Sequence, residues 1–143
     1  MKAYIDTSAL AKCYISEPRS MEVLDWVETH GTPATTMFAI VEFRCMLARR
    51  RRNRQIDQTL EHRALAEFDN HVRGGAWHLH QGAMGEYAAA RDLIDTLPDI
   101  SLRALDALHL AAARSIGVSE FATADKTQAD AAAALGFTVH RFY

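Results

Sequence analysis

Cysteine is scarce in this 143-residue chain: only Cys13 and Cys45 occur, and they form no CxxC. A disulfide framework is excluded, and a reducing compartment is expected. Charge of one sign is also lacking. Lys and Arg number 16 against 18 Asp and Glu, giving a formal net charge of -2 and a pI near 6.4. A generally basic surface for coating nucleic acid is therefore excluded, and any polyanion must be held by a local patch or a metal. No apolar run is long enough to cross a membrane. The stretch from Met1 to Asp6 reaches a charge within a few residues, so no signal peptide and a cytoplasmic location are expected. GxSxG, P-loop and GxGxxG motifs are all missing. What remains has the balance of a globular protein, 49% hydrophobic and 24% charged, which excludes disorder and a fibrous repeat. One domain over 1–143 is expected, burying about two thirds of its unfolded surface.

Short apolar strands alternate with helices along the chain. Ala3-Tyr4-Ile5 reads as a buried strand ending at Asp6. A helical pattern starts at Thr7-Ser8, runs on over 9–15 and is stopped by Pro18. Another runs over 20–30, with Val23, Leu24 and Val27 facing inward and Gly31 closing it. A strand is expected at 33–36, a long helix at 37–54 and a further helix at 55–72. After the Gly74-Gly75 turn, 76–80 alternates strictly, with Trp77 and Leu79 on one face and His78 and His80 on the other. That is the pattern of a half-exposed edge strand. Helices at 84–97, 102–116 and 126–135 and strands at 121–123 and 137–143 complete the reading. The alternation implies parallel crossovers and a three-layer α/β/α sandwich.

The acids carry the chemistry. Asp6 and Asp125 each follow a short strand at its carboxyl end, the edge where open parallel sheets bind ligands. Either alone reads equally well as a helix N-cap; two of them, each before a helix, favour a site. Asp106 lies in a helix over 104–113 that is apolar nearly all round. Burying an ionised carboxylate there costs on the order of several kcal/mol unless a cation or hydrogen bonds compensate. Arg103, one turn back, is the structural alternative. Glu42 sits among Ile40, Val41 and Phe43, and its plainer alternative is a partly exposed helix position. Four such acids gathered at one pole of the sheet cannot all stay ionised without a cation. Oxygen ligands with no Cys/His cluster suit Mg²⁺ or Mn²⁺ rather than zinc, and such a nest serves phosphoryl chemistry.

These residues resemble the PIN-domain ribonucleases, and among them the VapC-type toxins of bacterial toxin–antitoxin systems. The resemblance rests on Tyr4-Ile5-Asp6-Thr7-Ser8-Ala9-Leu10, Val41-Glu42, the run from Leu102 to Ala111, and Phe121-Ala122-Thr123-Ala124-Asp125. It is specific over 1–17, 37–46 and 102–137 and weak over 55–100. It implies a five-stranded parallel sheet in the order 3-2-1-4-5. It also implies that Asp6, Glu42, Asp106 and Asp125 are the catalytic and metal-holding acids around Mg²⁺ or Mn²⁺. Ser8 and Thr123 match hydroxyl positions that support the cluster. One departure is Thr127, where some relatives carry a further acid, which leaves open whether one ion or two are held. The resemblance further implies an RNA substrate, a homodimer and a cognate antitoxin whose arm places an Arg or Lys in the acidic pocket. A groove for that arm is expected between the first helices and the Arg49 helix, with Tyr14, Trp26 and Met46 as candidate contacts, although core packing is the stronger reading of each.

Other residues admit two readings. Arg49, Arg50, Arg51, Arg52 and Arg54 form the one dense basic run. It is either a solvated helix end or a contact for the RNA backbone through Arg49, Arg50 and Arg52. Arg49 follows Glu42 by two helical turns, about 10 Å along the same face. His109 shares the Asp106 face and reads as a supporting or packing residue. No acid or cysteine near His78 and His80 completes a zinc site in the sequence, and Cys13 and Cys45 read as core residues. An aspartyl-phosphate phosphatase would want DxDxT, but Ser8 stands where the second Asp belongs. A PIN nuclease of RNA maturation and a non-catalytic RNA- or protein-binding module remain as rivals to the toxin.

Overall fold

The computed structural model describes residues 3–143. Met1 and Lys2, the start of the segment read as lacking a signal peptide, lie outside the described residues. β1 (Ala3–Ile5) leads into α1 (Thr7–Leu10), a 3-10 turn over Ala11–Cys13, and α2 (Ser20–His30). β2 (Ala34–Thr36), α3 (Ala39–Arg52), α4 (Gln58–Arg73) and β3 (His78–His80) follow. The chain continues through α5 (Met84–Thr96), α6 (Ala104–Ile116), β4 (Glu120–Thr123), α7 (Lys126–Ala134) and β5 (Thr138–Arg141). The five strands pair in the order β3-β2-β1-β4-β5, all parallel, as the resemblance implies.

Alternation along β1 explains the layers. Ala3 and Ile5 point to one side and pack with Leu10, Val23, Phe43, Leu47 and Phe68 from α1–α4. Tyr4 points to the other side and packs with Leu93, Leu110, Phe121 and Ala131. The central strand is covered on both faces, which is why it reads as an unbroken apolar run. β3 stands at the sheet edge, and its His78 is exposed.

Local contacts set the element boundaries. The first helix starts at Thr7, where the sequence places it, because the Asp6 carboxylate accepts from the Ala9 N–H and caps it; it is α-helical only to Leu10 and continues as the 3-10 turn, short of the expected Ile15. α4 starts at Gln58, not 55, because Asp57 accepts from the Leu60 N–H at 2.8 Å. Between α3 and α4, Arg54 takes a left-handed φ of 58°.

Three expectations are corrected. Cys45 lies exposed on α3, outside the core; Cys13 is half-buried, its thiol pushed up to about 12 by burial and by Glu67. Tyr14 and Trp26 are buried, so they pack the interior instead of lining a groove; Met46 is half-buried against the same core. An acid does approach the β3 histidines: Glu86 Oε1 lies 2.5 Å from His80 Nε2. Among the described residues no third ligand joins that pair.

Tyr14 offers a test of its interior role. Its hydroxyl accepts from the buried Trp77 Nε1–H at 2.8 Å and lies 2.8 Å from His71 Nδ1. Tyr14→Phe leaves the indole N–H without its acceptor, so we expect a loss of about 1–3 kcal/mol in urea unfolding with an unchanged m-value. A neutral substitution would return Tyr14 to the surface role.

Candidate active site

The carboxyl end of β1 places the first acid. Asp6 N–H bonds to the Ala122 carbonyl at 3.1 Å, so the residue continues the β1–β4 ladder while its side chain turns to cap α1. The carboxylate is only 4% exposed. Its Oδ1 accepts from Ser8 Oγ at 2.6 Å and from Ala9 N–H at 3.1 Å; its Oδ2 accepts from Thr123 Oγ1 at 2.5 Å. Burial pushes the Asp6 carboxyl above its ordinary pKa, against the pull of His109, Ser8, Thr123 and the Ala9 N–H. Ser8 and Thr123 thus both touch the acid that the sequence paired them with. They also join each other at 3.2 Å, and Ser8 Oγ accepts from the Ala124 N–H.

Glu42 stands in the first turn of α3, just beyond β2. Its Oε1 lies 2.7 Å from both His109 Nε2 and Thr7 Oγ1. Burial alone would raise this carboxyl, but the contacts with His109 and Thr7 hold it below its ordinary value. His109 is buried on α6, with Tyr4 Oη 2.5 Å from Nδ1. Nε2–H donates to the Glu42 carboxylate, and the Tyr4 hydroxyl meets Nδ1 on the other side of the ring. Phe38 packs edge-on against the ring.

Asp106 and Asp125 form the far side. Asp106 occupies the first turn of α6, where Leu105 and Arg103 are exposed, so it is half-buried, not enclosed as its apolar sequence suggests. Its Oδ2 accepts from the Arg103 backbone N–H at 3.2 Å; the Arg103 side chain, 3.8 Å away, is 84% exposed and adds little. Burial pushes Asp106 above its ordinary pKa; the Arg103 N–H opposes this, and the Asp125 charge adds to it. Asp125 caps α7 by accepting from the Gln128 N–H. Gln128 is fully buried, and its Nε2 donates to the Asp106 carbonyl at 3.0 Å, tying the two helix starts together.

The cap reading of the strand-end acids therefore holds for both Asp6 and Asp125, and capping leaves them at the same pole of the sheet as Glu42 and Asp106. Among the described residues, no three of the four acids bring carboxylate oxygens within 4.8 Å of one another. They line a pole of the sheet without closing a cage. Tyr4, Thr7 and Gln128 belong to the arrangement, yet the sequence did not single them out as site residues. Tyr4 passed as strand core and Thr7 as a helix start; the one signal was that each directly precedes or follows a feature of the Asp6 motif.

The arginines divide. Arg50 is ion-paired with Glu17, and Arg51 Nε lies 3.0 Å from Glu61, which also meets Arg44. Arg49 and Arg52 are exposed; Arg49 borders a surface hollow with Ser16, Glu17 and Pro18.

Two solved structures share this fold. One is VapC20 of Mycobacterium tuberculosis, described as a Sarcin-Ricin loop cleaving toxin, with 17% identity over 97% of this chain and 99% of that one and a TM-score of 0.72. The other is FitAcB of Neisseria gonorrhoeae, also 17% identical, over 99% and 96%, with a TM-score of 0.59. No curated protein sequence matches the chain. The PIN domain model, however, matches residues 3–134, nearly the whole of the sheet and both acid-bearing strand ends, and the chain therefore belongs to the PIN-domain family.

Proposed function

We propose that the protein is a Mg²⁺- or Mn²⁺-dependent endoribonuclease, the toxin of a toxin–antitoxin pair. The observation that carries the reading is the pair of strand-end and helix-start acids, Asp6 and Asp106, whose carboxyls burial pushes up within a PIN fold. Such groups favour a nearby cation. The donor set is all carboxylate oxygen, which fits a hard dication. Asp6, Glu42, Asp106 and Asp125 would hold it. When bound, the ion supplies positive charge to the phosphate and lowers the pKa of attacking water.

The remaining work belongs to the chain. Ser8 and Thr123 fix the direction of both Asp6 oxygens. His109 and Thr7 bind Glu42 through Oε1, which leaves Oε2 for an outside partner. Among the described residues Arg49, Arg52 and Arg54 of the basic run are exposed and carry no ion pair, and Arg49 and Arg52 would meet backbone phosphates; Arg50, bonded to Glu17, would have to give up that partner first. The reading includes a homodimer and a cognate antitoxin. Exposed Met84 and Tyr87 offer apolar surface for protein contacts. Among the described residues no helix is long and apolar enough to cross a membrane.

Asp6→Asn, Asp106→Asn and Asp125→Asn should each lower RNA cleavage by at least about 100-fold while far-UV circular dichroism stays unchanged. The same Asp6 variant tests the electrostatics without metal. A raised carboxyl favours the fold in acid and loses that advantage as pH rises through its raised value. The Tm of Asp6→Asn relative to the parent should therefore climb as pH rises from about 4, the ordinary carboxyl range, through the raised value of Asp6. A relative Tm that falls over this window means the charge is fully satisfied inside the fold, and the metal argument loses its ground.

Product ends provide a separate check. Water attacking phosphorus in line leaves a 5′-phosphate and a 3′-hydroxyl, and EDTA should abolish the reaction. A 2′,3′-cyclic phosphate, or robust cleavage in EDTA, would assign the chemistry to the histidines instead.

A further inference from the structure

Away from the acidic pole, three residues distant in sequence meet at the other side of the sheet. His30 ends α2, Glu120 opens β4, and His140 lies in β5. Glu120 shares a face with Ala122, which pairs with His140 and packs in the α1–α4 layer. Glu120 Oε2 lies 2.9 Å from His30 Nε2 and 2.7 Å from His140 Nε2. Each residue offers a ligand atom within 4.8 Å of the other two, and among the described residues no other His, Cys, Asp or Glu trio does so.

The hydrogen bonding of His30 points to a cation. Its Nδ1 lies 2.7 Å from the Trp26 carbonyl oxygen. A carbonyl only accepts, so Nδ1 carries a proton, and Nε2 faces a carboxylate oxygen that also only accepts. Two acceptors at that separation need a positive centre between them, a proton or a metal ion. An imidazole whose second nitrogen donates to a backbone carbonyl is the arrangement that orients metal-bound histidines. Trp26 stacks on the ring with centroids 4.2 Å apart and steadies it further.

We propose that His30, Glu120 and His140 form a second metal site, for Zn²⁺ or a similar transition-metal dication, which clamps the end of α2 to the β4–β5 edge. Two imidazoles and one carboxylate suit such an ion and not Mg²⁺. Bonds of about 2.0–2.2 Å hold tetrahedral ligands about 3.3 Å apart, so the present contacts must open by about half an ångström. The side chains can give this, being 16%, 26% and 31% exposed for His30, Glu120 and His140. That exposure also leaves the fourth position to water. The site is independent of the acids: Glu120 precedes Thr123 by three strand residues, about 10 Å, on the opposite face.

The test uses untagged protein stripped with EDTA, in a background of Asp6→Asn with Asp125→Asn so that the acidic pole does not report. A parallel arm uses the parent protein in excess Mg²⁺. Calorimetry should find one equivalent of Zn²⁺. Co²⁺ should give visible bands of nitrogen ligation and quench the fluorescence of Trp26, and Zn²⁺ should raise the Tm by several degrees. Glu120→Gln, which keeps the side-chain shape, and His140→Ala should each weaken Zn²⁺ binding by at least about tenfold and remove the Tm rise. Zn²⁺ binding undiminished in both variants overturns the proposal. So does a parent protein that ignores Zn²⁺ while its stability follows pH alone, which would make a proton the occupant.

Discussion

A nearly buried carboxylate at the end of the central strand organises this molecule. Asp6 extends the β1–β4 ladder, caps α1, and takes hydroxyl donors from Ser8 and Thr123. Burial opposes its charge, so the fold must surround it with donors or leave room for a cation. The same residue therefore joins sheet, helix and pocket, and shifting its position would disturb all three. Thr123 reaches it from β4, which makes the pairing of β1 with β4 a condition for the site.

The second acid is governed by a different network. Glu42 is held down by His109 and Thr7, and His109 is held in turn by Tyr4 from within the core. Tyr4 packs on Phe121 with ring centroids 5.2 Å apart, so the tyrosine that steadies the histidine belongs to the apolar layer of α5–α7. Local order in the site thus draws on core packing. Asp106 and Asp125 are linked through Gln128, whose amide spans the starts of α6 and α7. One pole therefore holds carboxyls pushed up by burial beside one drawn down by a histidine, an uneven set that a dication would even out.

The two groups of titratable residues differ in chemistry as well as place. The acidic pole offers oxygen alone, whereas the His30, Glu120 and His140 group offers two nitrogens and one oxygen. The latter sits where three elements end or begin, at the termination of α2 and the start of β4 beside the edge strand β5. A cross-link there would tie the end of α2 to the paired strands β4 and β5.

Much of the fold was legible because local signals agree with the tertiary solution. The unbroken run Ala3-Tyr4-Ile5 marked the doubly covered strand, the alternation through Trp77 and Leu79 marked the edge, and Gly31 and Gly117 marked helix ends. Strand-end acids and the motif resemblance were enough to nominate Asp6, Glu42, Asp106 and Asp125. Boundaries slipped where a side chain chose the cap, as Asp57 did for α4. Periodicity reports which residues avoid water, but not which partner each polar group finds. Cys45 was misplaced for that reason, and Tyr14 and Trp26 stood open between core and groove until their burial decided for the core. The sequence by itself determined the order of elements and the two-sided core, because these follow from hydrophobic period, and the resemblance nominated the acids. Only the tertiary structure decided that Tyr4 serves Glu42 through His109 while Thr7 binds it directly, that Arg50 is taken by Glu17, and that His30, Glu120 and His140 meet. Those contacts join residues 33 to 105 positions apart, or 20 apart across neighbouring strands, and distance along the chain hides them.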